Sequence, residues 1–289
     1  MADSDETAPA PRRPAVAGRG PVILIGGAED KRRERTILTR FVELAGPDAK
    51  VAIIATASDR GAAGIKYYGE LFRELGAEET EGARPLTREE ADDPATSRLV
   101  DRATAVFLTG GNQIRLTSVV AGTRLADALF RAHDRGATIA GTSAGASALP
   151  SHMLAYGRKG EVPKHRMVHI AAGLGIVDGV VVDQHFEQRG RLGRLVAAVA
   201  QSPGLIGVGL DEDTAAIVWA DRTLEVVGRG AVTIVDGSRM QTDAHVTKGH
   251  RPMLVSGVVM HSLPDGYRFD LRTRTLAPIA DAEELEASE

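Results

Sequence analysis

The chain has 289 residues, 43% of them apolar, with a formal net charge of −4 and an isoelectric point near 6.1. That is enough chain to bury a sizeable core, and the charge argues against a general nucleic-acid-binding surface. The absence of cysteine excludes disulfides, thiolate nucleophiles and Cys-ligated zinc, and is compatible with a reducing cytoplasm.

Residues 1–20, MADSDETAPAPRRPAVAGRG, are acidic, then rich in Pro, Ala and Arg. They have no apolar h-region, so a disordered tail is expected rather than a signal peptide. No stretch approaches the roughly 18 uncharged apolar residues of a membrane span. "PVILIGG" (21–27) reads as a buried strand, and "RRERTILTRFVELAG" follows with Ile37, Leu38, Phe41, Val42, Leu44 and Ala45 at helical spacing. The alternation repeats: strand 50–58, helix 65–77, strand 104–112, helix 124–137 and strand 137–143. Apolar strands separated by amphipathic helices predict an α/β fold, a mainly parallel sheet covered by helices on both faces. From about residue 204 short β-rich runs predict antiparallel hairpins that pack onto or extend that sheet. With no linker between the two textures, residues 21–280 are expected to form one domain, and 281–289, DAEELEASE, a frayed acidic end.

Three predicted strands end in unusual loops, "GGAEDK" (26–31), "TGGNQIR" (109–115) and "GTSAGA" (141–146). In open α/β sheets ligands bind outside the carboxyl ends of the strands, so these loops could share one crevice. The last of them fits G-x-S-x-G around Ser143, the pattern of a nucleophile on a strand-to-helix elbow. A serine nucleophile needs a base. Among eight histidines, His185 stands just past the apolar "GVVV", where its ring could reach a sheet-edge crevice. His165 and His169 have the i, i+4 spacing of a metal pair, but Lys164 and Arg166 flank them and no H-E-x-x-H is present, so no metal site is expected. Asp211, Glu212 and Asp213 lie between two apolar runs, and any of the three could orient the histidine. The order Ser, His, acid departs from the α/β-hydrolase order of Ser, acid, His. Arg189, Arg191 and Arg194 cluster beyond His185, either as a solvated basic turn or as a carboxylate-binding pocket. There is no G-x-G-x-x-G after the first strand and no G-K-[ST] phosphate loop.

The stretches "LIGGAEDK", "FLTGGNQIRL", "GTSAGASAL", "DQHFEQRGRLGRL", "GVGLDEDTA" and "RFDLRTR" together resemble the cyanophycinase family, serine peptidases with a fold like the class I glutamine amidotransferases. They occur in family order over nearly the whole chain after the tail. The resemblance implies cleavage of cyanophycin, a poly-aspartate carrying arginine on each β-carboxyl, from its C-terminal end, with release of β-Asp-Arg dipeptides. It implies Ser143 as nucleophile, His185 as base and Glu212 as the orienting acid. Gln113, Asp183, Gln184, Arg189, Arg191 and Arg194 fall on the family's substrate-pocket positions. Asp183 would then meet a substrate guanidinium, and the arginines its carboxylates. An oxyanion hole is expected from the backbone N–H of Ala144 and one of the Gly110–Gly111 pair, assigned to Gly111. The resemblance also implies a homodimer; acyl transfer of this kind requires no metal or organic cofactor, and with the cysteine-free composition a cytoplasmic location is expected. A related aspartyl dipeptidase sharing the "SAGA" elbow, and a cyanophycinase-like peptidase acting on another β-linked or isoaspartyl peptide, are the alternatives.

Overall fold

Strands β1 (Val22–Ile25), β2 (Lys50–Ile54), β3 (Glu79–Ala83), β4 (Ala105–Leu108) and β5 (Thr138–Thr142) run parallel in the order β1-β5-β4-β2-β3. The computed structural model from which they are taken describes residues 18–158 and 160–278. In β1 the side chains alternate between two cores: Val22 and Leu24 join one cluster, Ile23 and Ile25 another. Both faces are covered, which is why the run is apolar at every position. On one face helices α1 (Thr36–Leu44) and α2 (Gly61–Glu74) bring Phe41 and Phe72 against Phe107 of β4, with ring centroids 5.1–5.6 Å apart. The other face carries α3 (Arg88–Asp92), α4 (Pro94–Arg102), α5 (Gln113–Val120) and α6 (Arg124–Asp134). Asp93 caps α4 by accepting from the Ala95 N–H at 2.7 Å, directly before Pro94 at the first helical position.

After β5 come α7 (Ala144–Ala148), β6 (Pro150–Gly157), β7 (Val168–Ala172), β8 (Val177–Gln184), α8 (Leu192–Gln201) and β9 (Ile206–Leu210). The rest is β10 (Thr214–Val218), β11 (Thr223–Gly228), β12 (Val232–Asp236), β13 (Gln241–Thr242), β14 (Val255–Ser256), β15 (Val259–Leu263), β16 (Arg268–Asp270) and β17 (Thr275–Ala277). Strands β10, β11, β16 and β17 extend the first sheet as antiparallel partners beyond β1. A second sheet has the order β15-β12-β9-β8-β6-β7, and β8 pairs with β9 in parallel. The expected hairpins therefore do extend the sheet, but β9 and β12 belong to a sheet that hydropathy did not separate from the first. The chain changes sheets between β9 and β10, through residues 211–213.

Of the expected tail, residues 1–17 lie outside the described residues. Its last residues are tied to the domain: Arg19 Nε donates to Asp134 at 2.8 Å and the Gly20 N–H to His133 O at 3.0 Å. The acidic end at 281–289 also lies outside the described residues.

Candidate active site

Strand β5 runs into α7 through Ser143, whose φ of 52° and ψ of −109° an L residue adopts only under constraint. The small residues around it permit the turn, and the Ser143 N–H is tied to Ile25 O at 2.9 Å. The hydroxyl is thereby projected off the sheet edge, half-buried. His185 leaves the end of β8 with φ 48°, its N–H donating to Gly26 O at 2.9 Å. The ring passes so close to Gly27 that a Cβ on that residue would lie 2.6 Å from Nε2. Glu212 occupies the segment that crosses from the second sheet to the first.

These three side chains form a relay. Ser143 Oγ lies 3.0 Å from His185 Nε2, and His185 Nδ1 lies 2.6 Å from Glu212 Oε1. A carboxylate can only accept, so Nδ1 carries the proton and Nε2 is left to accept from the serine hydroxyl. Burial holds the His185 pKa below the ordinary histidine value; the Glu212 hydrogen bond opposes this, while the charge of Arg189 adds to it. At neutral pH the imidazole is uncharged, the form a general base requires.

The three consecutive acids have separate partners. Buried Asp211 accepts from the backbone N–H groups of Glu187 and Ala231, each at 3.0 Å. Asp213 accepts from the Asp30 N–H at 2.7 Å. Glu212 alone of the three turns to His185.

Gly110 abuts Ser143, a Cβ there falling 3.8 Å from its Oγ, so the Gly110–Gly111 peptide runs alongside it. Gly111 has a φ of 142° and no room for a side chain, since its Cβ would meet Ala57 O at 1.9 Å. Ala144, first residue of α7, has an N–H with no carbonyl a turn back to receive it.

The basic cluster is not a solvated turn. Arg191 and Arg194 are buried at the start of α8, and both engage Asp183, which is 1% exposed. Arg194 Nε donates to Asp183 Oδ2 at 2.5 Å and its second terminal nitrogen to Oδ1, while Arg191 donates to Oδ1 at 3.0 Å. Both Asp183 oxygens are thus engaged inside the protein. The expectation that Asp183 meets a substrate guanidinium does not fit this arrangement, because two arginines already occupy it. One carboxylate against two guanidiniums leaves the cluster with an excess positive charge. Burial and the neighbouring arginines bring Arg191 down to about 10, still cationic at neutral pH. Arg189 is exposed in the turn before α8. Gln184 is buried with its Oε1 unpartnered among the described residues. Gln113 opens α5 and donates to the Leu154 and Ala155 carbonyls at 3.2 and 2.8 Å, fastening that helix to β6. His169 stacks on Tyr156 and His165 Nδ1 lies 2.9 Å from Gly249 O, so the i, i+4 pair falls on irregular and strand backbone.

The model of peptidase family S51 matches residues 22–227. The chain belongs to peptidase family S51. As an S51 peptidase it is a serine-type hydrolase. It is 40% identical over 270 residues to the cyanophycinase of Nostoc sp., covering 92% of this chain and 90% of that one. To the cyanophycinase of Geminocystis herdmanii it is 39% identical over 258 residues, covering 88% and 95%. To that of Synechococcus elongatus it is 41% identical over 259 residues, covering 88% and 80%. A crystal structure of a peptidase from an acI-B1 Actinobacterium superposes with a TM-score of 0.59 at 23% identity, covering 84% of this S51 peptidase and 97% of that chain. That likeness concerns the fold.

Sequence reasoning did not single out Glu29, Lys31 or Tyr68. Glu29 is buried behind the elbow, where it accepts from Tyr68 and Thr142. The loop "GGAEDK" drew notice as a whole, but an acid after two glycines reads as an exposed turn until its partners are known.

Proposed function

We infer that this chain is a cyanophycinase, a serine exopeptidase that cleaves the poly-aspartate backbone of cyanophycin and releases β-Asp-Arg dipeptides. The Ser143–His185–Glu212 relay, in a chain about two-fifths identical to curated cyanophycinases over most of its length, carries the reading. Ser143 Oγ attacks the aspartyl carbonyl as its proton passes to His185 Nε2, and Glu212 stabilises the imidazolium. The proton then goes to the departing amine as the C–N bond breaks. Water, deprotonated by the same histidine, hydrolyses the acyl ester and restores the serine. The Ala144 and Gly111 N–H groups receive the oxyanion.

Each repeat of the polymer carries one carboxylate and one guanidinium. The excess positive charge of Arg191 and Arg194, with Arg189 at the rim, suits the carboxylates, including the free chain terminus. Asp183 holds those arginines in place, and the unpartnered Gln184 Oε1 offers an acceptor to a substrate N–H donor. Residues 21–280 are read as one domain, a view supported by a core cluster that draws Leu24 and Val106 from one sheet and Val182 and Val208 from the other. Among the described residues no helix is long and apolar enough to cross a membrane. The homodimer belongs to the same reading through the resemblance, and the cytoplasmic location through a cysteine-free composition compatible with a reducing compartment.

The purified protein should release β-Asp-Arg from insoluble cyanophycin, and Ser143→Ala should abolish that release. Full activity in the alanine variant would make Ser143 a turn residue. Preference for short Asp-Xaa peptides over the polymer in a side-by-side assay would reassign the substrate.

A further inference from the structure

Glu29 is a buried carboxylate outside the relay, 4% exposed and four residues past the end of β1. Its Oε2 accepts from Thr142 Oγ1 at 2.7 Å. Its Oε1 accepts from the Tyr68 hydroxyl at 2.6 Å and pairs with Lys31 Nζ at 2.9 Å. Burial, and then the Glu29 charge, raise the Tyr68 pKa well above the phenolic range, which makes that hydroxyl a permanent donor. Desolvating a carboxylate is costly, and a buried ion pair is weak grounds for stability, so its placement calls for another reason.

Thr142 immediately precedes Ser143, whose backbone conformation persists only if its surroundings over-determine it. The loop that presents Glu29 also presents the ledge beneath the base. Gly26 O accepts from the His185 N–H at 2.9 Å, and Gly27 lies against the imidazole. Gly27 O accepts from the Asp213 N–H at 2.9 Å, next to Glu212. Residues 26–29 therefore meet the base directly and a neighbour of each other relay member, and the Glu29 side chain adds a side-chain tie from this loop to the elbow beside the backbone bond of the Ser143 N–H to Ile25 O.

We propose that Glu29 is a positioning residue, which by gripping Thr142 fixes the elbow against the Gly26–Gly27 ledge and so sets the approach of Ser143 Oγ to His185 Nε2. The proposal rests on the reading of Ser143 as nucleophile. Glu29 reaches the reaction through Thr142, and its effect falls on kcat rather than KM. A glutamine at 29 cannot accept from Thr142, Tyr68 and Lys31 together, because one of its two terminal groups is a donor. Thr142→Val deletes only the bond to the elbow and leaves Glu29 with Tyr68 and Lys31.

The experiment compares wild type, S143A, E29Q, T142V and T142S. The readouts are the rate of labelling by a serine-directed fluorophosphonate, kcat and KM on cyanophycin, and the melting temperature. Labelling of wild type but not S143A tests the nucleophile, and no labelling of wild type overturns that reading and this proposal with it. With the nucleophile established, E29Q and T142V should lose at least about tenfold in labelling rate and kcat, with KM within about twofold, as expected when reacting groups are misplaced rather than removed. T142S, which keeps the hydroxyl, should recover most of what T142V loses. Wild-type rates in folded E29Q and T142V overturn the positioning role and leave Ser143 as nucleophile. An equal loss in T142S and T142V does the same, because the hydroxyl would then be irrelevant. Should E29Q fail to fold, the two Thr142 variants decide.

Discussion

The imidazole of His185 rests on the backbone of Gly27, so closely that a Cβ there would lie 2.4 Å from Cε1 and 2.6 Å from Nε2. Gly27 also has a φ of 98°, a conformation that side-chain-bearing residues avoid. Gly27→Ala is therefore expected to displace the His185 ring and strain the loop together. A shift of about 1 Å in a reacting group can cost about 10²-fold in rate, and a loss of that order in kcat is expected. Measuring kcat beside the melting temperature checks it, and a variant with full activity would show that the ring tolerates the shift.

The pH profile follows from burial of the same ring. The folded pKa of His185 lies below its unfolded value of about 6.5, so the imidazole stays neutral into mild acid. The acid limb of kcat/KM should have its midpoint below about 6.5, with activity falling as pH drops through the folded pKa. Between the two values the unfolded chain binds more protons than the folded one. His185 thus contributes to a decline in stability as pH falls through about 6.5. The positive charge of Arg189 adds to the depression, so Arg189→Gln should move the acid limb upward. An unmoved limb would remove Arg189 from the electrostatics of the base.

Glu212 and Asp211 are neighbours with opposite expected signatures. Glu212 holds the His185 tautomer with a side chain 37% exposed, whereas Asp211 is buried and receives two backbone N–H groups. Glu212→Gln should lower kcat by about 10²–10⁴-fold with little change in melting temperature, since a misoriented or wrong-tautomer imidazole cannot accept the serine proton. Asp211→Ala should destabilise by about 1–3 kcal/mol for the donors left unsatisfied. Thermal unfolding and steady-state kinetics on both variants separate the two roles, and a reversed pattern would exchange them.

Asp183 compensates two buried guanidiniums. Its replacement by alanine leaves Arg191 and Arg194 without a counter-charge, a change expected to cost about 3–5 kcal/mol. Arg191→Ala leaves Asp183 with Arg194 and should be milder in denaturant, while raising KM for cyanophycin through loss of a carboxylate partner. Denaturant titration and KM measured on both variants check the contrast. An unchanged KM in Arg191→Ala would confine that arginine to structure.

How much of this was legible in the chain depends on how local the signal is. The α/β alternation is a local property: each apolar run flanked by helical spacing encodes its own burial on both faces, as in β1 and β4. β3 was not legible because it is an edge strand, with Glu79 and Glu81 where a central strand would carry aliphatic residues. α8 was not legible at its start because Arg191 and Arg194 mimic a basic turn, and only Asp183, from the preceding strand, makes their burial affordable.

The amino-acid sequence by itself determined the elbow at Ser143, the histidine past β8, the three candidate acids and, through resemblance, the family. The tertiary structure decided which acid turns to His185, that Asp183 binds arginines rather than standing open, and that Glu29 lies behind Ser143. Each of those outcomes depends on where the chain crosses between two sheets and which side chain meets which across it. Hydropathy and spacing record whether a residue is buried, whereas a hydrogen-bond partner 113 residues away, as Thr142 is from Glu29, is settled only when the strands pair.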